Sequence, residues 1–107
     1  MDRDTVVVVT VTAPSEALAD EIAGRVVAAR VAACAQVGGP IRSTYRWQGA
    51  VETDREWTVT VKTAAACLDR LVELVRSLHP YDVPEIVALP VVGGNPDYLE
   101  WVRTESS

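Results

Sequence analysis

Ile41-Arg42-Ser43-Thr44-Tyr45-Arg46-Trp47-Gln48-Gly49 reads as a strand running into a tight turn. Ile41, Ser43, Tyr45 and Trp47 fall on one face and Arg42, Thr44 and Arg46 on the other, the two-residue period of a strand. Gln48-Gly49 is the turn signal. A return strand then reaches Thr63, and its last part alternates again, with Trp57, Val59 and Val61 against Thr58, Thr60 and Lys62. Upstream, Ala35 to Val37 begins the first strand and Gly38-Gly39-Pro40 interrupts it, which predicts a bulge or bend. Both strands are longer than a small domain needs, and this surplus is the first functional hint.

The flanking segments complete the fold class. Thr5 to Thr12 is nearly all β-branched, as a central strand buried on both faces requires. Ala13-Pro14-Ser15 ends it, and Leu18, Ile22, Val26 and Ala29 then recur at helical spacing over Ser15 to about Val31. Arg25 and Arg30 come late in that helix, as its dipole favours. After the hairpin, Thr63 is the expected N-cap of a second amphipathic helix, Ala64 to Leu78. His79-Pro80 stops it, because the residue before a proline avoids the helical region. Glu85 to Leu89 is a short strand, and Asn95-Pro96 opens a last helix. The order is β-α-β-β-α-β plus a terminal helix, an α+β domain of the ferredoxin-like split β-α-β type spanning residues 1–107. Two helices cover one sheet face. Tyr45, Trp47 and Trp57 are a large aromatic allotment for a wet sheet, so the hairpin is expected to self-associate.

Composition narrows the function. The chain has 107 residues, enough for one domain, and a formal charge of −5,. An acidic surface repels phosphate backbones, so no nucleic-acid partner is expected. The run Val6-Val7-Val8-Val9 is too short to span a bilayer, and Asp2 and Asp4 precede it where a secretory signal prefers positive charge. No membrane partner is expected, and a reducing cytoplasm is the default. The two cysteines, Cys34 and Cys67, show neither a metal-ligand spacing nor a disulfide framework,.

Five stretches carry a family resemblance. They are Ala32-Ala33-Cys34-Ala35-Gln36-Val37, Ser43-Thr44-Tyr45-Arg46-Trp47-Gln48-Gly49, Val61-Lys62-Thr63, His79-Pro80-Tyr81-Asp82-Val83-Pro84-Glu85-Ile86 and Gly94-Asn95-Pro96-Asp97-Tyr98-Leu99-Glu100-Trp101. In this order the chain resembles the CutA divalent-cation-tolerance family. The resemblance implies a very stable homotrimer, with the long hairpin extending sheets between subunits. It also implies a role in tolerance of divalent cations, copper above all, and no enzyme reaction is attached to the family. The family often has Asn where this chain has Gln36, and lysines where it has Gln48 and Ala50. An anion-binding hairpin tip loses its charges here.

Copper(I) prefers thiolate and thioether, while imidazole suits copper(II) and zinc. Cys34, His79 and Glu85 are the candidate ligands of copper or another divalent cation, which folding is not expected to require. Each has an ordinary reading beside the functional one. Cys34 reads as a small buried hydrophobe or as a metal or redox thiol. Cys67, on the second helix, reads as packing. His79 reads as a helix-ending residue or a ligand, and Glu85 as a solvated carboxylate or a ligand. Tyr45, Trp47 and Trp57 are the candidate trimer interface. Lys62 and Tyr81 are the candidate intersubunit pocket, and Lys62 is also expected to pair with an acid. No two soft donors lie at ligand spacing in one chain, so a tight site depends on the trimer.

The alternative is a trimeric small-molecule module with ligand clefts between subunits. An acylphosphatase is not expected, because Ala13-Pro14-Ser15 has neither the arginine nor the glycine of an anion-cradling loop. An RNA-binding sheet is not expected either, because the chain has no phenylalanine and its aromatics sit on the hairpin of an acidic protein,. Replacing Trp47 by alanine removes a large interface anchor. The Trp47→Ala variant is expected to dissociate on dilution; an intact trimer in light scattering would count against that role.

Overall fold

The computed structural model describes residues 1–107. The strands are β1 (Val6–Ala13), β2 (Cys34–Trp47), β3 (Ala50–Ala64) and β4 (Ile86–Pro90), and the helices are α1 (Glu16–Ala28), α2 (Leu68–Leu78) and α3 (Pro96–Glu105). They form one four-stranded antiparallel sheet in the order β2-β3-β1-β4. This is the split β-α-β arrangement, with β1 central as expected. The β2–β3 hairpin projects beyond the body and stretches the molecule to 43 Å along an axis against 25 and 22 Å across.

α1 and α2 lie on one face of the sheet. Val7, Val9 and Val11 of β1 and Val59 and Val61 of β3 meet Ile22, Val26, Leu71 and Val75 there, all of them buried. The opposite face holds Val8, Thr10, Thr58, Thr60 and Lys62, which are only half-buried, so β1 is not buried on both sides as its sequence implies. α3 covers one end of this open face, where Val102 packs on Val6 and Ala33.

The interruption at Gly38-Gly39-Pro40 is a true bulge, for Gly38 pairs with Thr58 and Ile41 with Glu56. β2 therefore carries one more residue than β3 across this step. Side chains alternate along a strand, so the extra residue exchanges the faces. Before the bulge Cys34 and Gln36 share the open face with Lys62 and Thr60; after it Ile41, Ser43 and Tyr45 share that face with Glu56, Asp54 and Glu52. Gly39 has φ +128°, and a Cβ there would lie 3.1 Å from both the Glu56 carbonyl and the Trp57 ring. Glycine is the residue such a position admits.

Two helix boundaries differ from the sequence reading. α1 stops at Ala28, because Arg30 adopts φ 60°. Its guanidinium reaches the end of α3 instead, donating to the Thr104 carbonyl at 3.2 Å and pairing with Glu105 at 3.6 Å. The positive charge thus serves the negative end of another helix. Thr63 does not cap α2. β3 continues through Ala64, a 3-10 turn occupies Ala65–Cys67, and α2 begins at Leu68. Thr63 pairs with Val7 in the ladder, is fully buried, and its hydroxyl donates to the Val31 carbonyl at 2.7 Å. Without that donor the buried carbonyl is unsatisfied. Thr63→Val is therefore expected to lower unfolding free energy by about 1–3 kcal/mol in urea denaturation, and a variant as stable as the parent would show the bond to be dispensable.

Candidate binding cleft

A cleft of about 650 Å³ opens between the hairpin and the segment joining α2 to β4. Ser43, Tyr45 and Trp47 of β2, Glu56 of β3 and Thr12 of β1 form one wall, and residues 80–85 form the other. The joining segment is pinned from below. His79 ends α2 with extended backbone because Pro80 follows it,. Its ring is buried, and Nδ1 accepts from the Tyr81 N–H at 3.3 Å. The proton therefore sits on Nε2, which donates to the Thr12 carbonyl at 2.7 Å,. Tyr81 packs on the imidazole with ring centroids 4.6 Å apart, and its hydroxyl donates to Glu56 at 3.2 Å.

The cleft is negative. Glu56, Asp82 and Glu85 line it, and no lysine, arginine or histidine does. Glu56 is only 7 % exposed. The ion pairs of the chain, Arg25–Glu21, Arg30–Glu105 and Arg103–Glu100, all lie elsewhere. Across the hairpin Tyr45 donates to Asp54. Both phenols resist ionisation. The hydrogen bond to Asp54, with that carboxylate's charge, pushes Tyr45 up to about 12, and burial followed by the Glu56 charge pushes Tyr81 up to about 12. Both remain neutral donors at ordinary pH.

The CutA1 divalent ion tolerance profile matches residues 7–105. The chain belongs to this family. The divalent-cation tolerance protein CutA of Thermus thermophilus is 49% identical over 96 residues, which are 90% of this chain and 93% of that protein. The rice protein CutA 1, named chloroplastic, is 42% identical over 94% of this chain, which spans 56% of that relative's length. A solved structure of the Thermus thermophilus Cut A1 protein superposes with a TM-score of 0.93 at 46% identity, covering 95% of this chain and 99% of that one.

Family membership directs attention to cation donors, and one subunit does not assemble them. No group of three or more His, Cys, Asp or Glu side chains is placed to hold a metal ion. His79 has both ring nitrogens engaged. Glu85 lines the cleft, but Cys34 lies at the far end of the sheet, paired with Lys62 and 3.4 Å from the Tyr98 hydroxyl. Thr12, which His79 touches, pairs with Thr58, four positions back along β3 from Lys62, so the two ends are roughly 13 Å apart,. Cys67 is buried, as its ordinary reading holds, with its thiol against the Ser106 carbonyl.

The candidate pocket pair is split in the same way. Tyr81 lines the cleft, whereas Lys62 donates to Gln36 at the Cys34 end and meets no acid. The aromatic trio is also divided. Tyr45 and Trp47 are exposed on the cleft side, while Trp57 lies on the helix side against the core, with Arg55 over its ring. Its indole N–H is buried without a partner.

The sequence reading passed over Glu56 and Asp54. A signal for them exists, because Glu52, Asp54 and Glu56 alternate along the return strand and so share one face,. Glu56→Gln is expected to lower the Tyr81 pKa without restoring the ordinary value of 10, since burial and the Asp54 charge also raise it. Ultraviolet titration of the phenolates measures this; an unmoved pKa would remove Glu56 as a cause. In both tyrosines the folded pKa lies above the unfolded one. Their contribution to stability is intact below pH 10 and is lost as the pH rises toward about 12,.

Proposed function

We propose that the chain acts as a homotrimer in tolerance of divalent cations, copper first among them, holding the cation on donors from more than one subunit and catalysing no reaction. One contrast carries this reading: the family is defined by divalent ions, yet a single subunit has no cluster able to hold one. A trimer triples every donor and brings chains together at interfaces. Cys34 is a free, half-buried thiol on the open face of the sheet, the donor type that copper(I) prefers,. Glu85 supplies an exposed carboxylate, while His79 acts as a structural pin.

Surface chemistry supports the assembly. Val87 and Leu89 on the open face are 50 % and 64 % exposed, and Tyr45 and Trp47 stand exposed on the projecting hairpin. Apolar surface of this kind marks interfaces. Two free thiols fit a reducing cytoplasm,. A non-enzymatic role agrees with the separation of Cys34 from His79, which leaves no nucleophile beside a base. The cleft favours a second reading, a trimeric module that binds a small molecule there, since about 650 Å³ falls in the range of ligand pockets,.

The test is titration with reduced copper and with zinc, followed by calorimetry and melting, with light scattering for the assembly. A cation specific for the folded state raises the melting temperature by mass action. Copper is expected to bind, and Cys34→Ser to lower its affinity by about tenfold or more while the trimer persists on dilution. Unchanged copper affinity would return Cys34 to packing. Absence of binding and of any melting shift with both metals would end the metal reading, and a monomer mass in scattering would end the trimer.

A further inference from the structure

The hairpin carries its charges in two opposed rows. Glu52, Asp54 and Glu56 share the open face of the ribbon, while Arg42, Arg46 and Arg55 share the helix-side face. These six cancel, so the formal charge of −5 belongs to the rest of the chain. No carboxylate stands among the arginines, whose neighbours in the same row are Thr44, Thr53 and Val51. The ion pairs of the chain engage Arg25, Arg30 and Arg103, and none of these three. The register sharpens the contrast. Gly38 faces Thr58 before the bulge, and that pairing carried on unbroken would set Arg42 opposite Asp54. The bulge sets Arg42 opposite Arg55 instead. The ladder thus exchanges an opposite-charge pair for a like-charge one, with Cβ atoms about 5 Å apart, an arrangement that is destabilising by itself. An anion seated between the two guanidiniums relieves the repulsion and meets two planar forks of donors. Arg55 is already held over the Trp57 ring, 5.8 Å from its centroid,. The Thr44 and Thr53 hydroxyls, 3.1 Å apart, continue the polar row. Arg46 ends it, four positions beyond Arg42 and about 13 Å along the strand.

The geometry points to the helix-side face of the hairpin as a docking surface for an extended acidic peptide segment of another protein, with one carboxylate between Arg42 and Arg55 and a second at Arg46. Carboxylates four residues apart on an extended chain are about 13 Å apart, which matches the two positions. The row is open and linear, as a segment laid along it requires. The overall negative charge of the chain opposes long polyanions and anionic membranes, whereas a short segment meets the local row. Tyr45 and Trp47 point to the opposite side of the ribbon, so packing of that aromatic side between subunits does not consume the arginines.

Fluorescence anisotropy on the intact chain in its native assembly tests it. The probes are a labelled peptide carrying two glutamates four positions apart, its glutamine counterpart and inorganic tripolyphosphate. The glutamate peptide is expected to saturate and to weaken as salt rises, and the glutamine peptide not to bind. Arg42→Gln is expected to weaken binding about tenfold, Arg46→Gln severalfold, and Arg42→Lys to an intermediate degree, because it keeps the charge and loses the fork. Arg70→Gln, exposed in the first turn of α2, is expected to leave binding unchanged. The Arg42→Gln variant is expected to melt no lower than the parent, since the repulsion with Arg55 is removed. Equal losses in the Arg70 and Arg42 variants would reduce the effect to overall charge and overturn the surface. Dissociation of the assembly by Arg42→Gln, seen in light scattering, would give the arginines to a second copy of this chain and overturn the foreign partner. A lowered melting temperature in an intact assembly would give them to the fold. If tripolyphosphate binds with sensitivity to Arg42→Gln and the peptide does not, the acidic-peptide class falls. If neither probe binds, the docking surface falls.

Discussion

Between Gly38 and Ile41 the β2–β3 ladder takes up one unmatched residue, and every β2 side chain distal to it changes sides. In an unbroken ladder the faces that hold Cys34 and Gln36 would continue through Arg42, Thr44 and Arg46. Arginines would then border the cleft, and Tyr45 and Trp47 would lie on the helix side. The bulge reverses this assignment. It turns Tyr45 and Trp47 toward Thr12 and the segment after α2, onto the face where unbroken β3 already places Glu52, Asp54 and Glu56, and sends Arg42 and Arg46 to the back. The absence of arginine from the cleft is therefore a consequence of backbone register, while its carboxylates come from β3 and the segment after α2,. Trp57 belongs to the same device, for its ring packs against the position that only Gly39 can occupy.

The same ladder separates two chemistries. At one end are Cys34, Lys62, Gln36 and Tyr98; at the other are Glu56, Tyr81, Tyr45 and Glu85 with His79 beneath them. β1 and β3 connect the ends by continuous antiparallel pairing over a buried valine core, so the separation is rigid. A soft thiol and an acidic aromatic cavity thus occupy independent positions in one subunit. Any process that joins them requires a second chain.

Much of the fold was legible because its signals are local. The β-branched run of β1, the apolar spacing of α1 and α2, the His79-Pro80 stop and the Asn95-Pro96 start each depend on a few neighbouring residues. The bulge was legible as an interruption, but its effect on the faces was not, since parity depends on how many residues the partner strand spends on the same step. The start of α2 failed for a related reason. Thr63 has the chemistry of a cap, and only its pairing with Val7 and its burial beneath Val31 show that the strand still runs through it. The cleft was half legible. Tyr81, Glu85, Tyr45 and Trp47 were singled out, whereas Glu56 was hidden because its neighbour in space, Tyr81, lies 25 positions away. Within one subunit Lys62 and Cys34 lie far from Tyr81 and His79, a spacing that sequence order does not reveal because it carries no measure of distance along a sheet.

The Tyr81–Glu56 hydrogen bond also ties two separate parts of the molecule together. His79 holds the base of the segment after α2, β4 holds its exit, and the Tyr81 hydroxyl is the strut between its middle and the projecting hairpin. The strut rests on a single oxygen of the Glu56 carboxylate. Loss of that one contact would leave the exposed middle of the segment, residues 81–83, held only at its two ends while the sheet below keeps its own pairing.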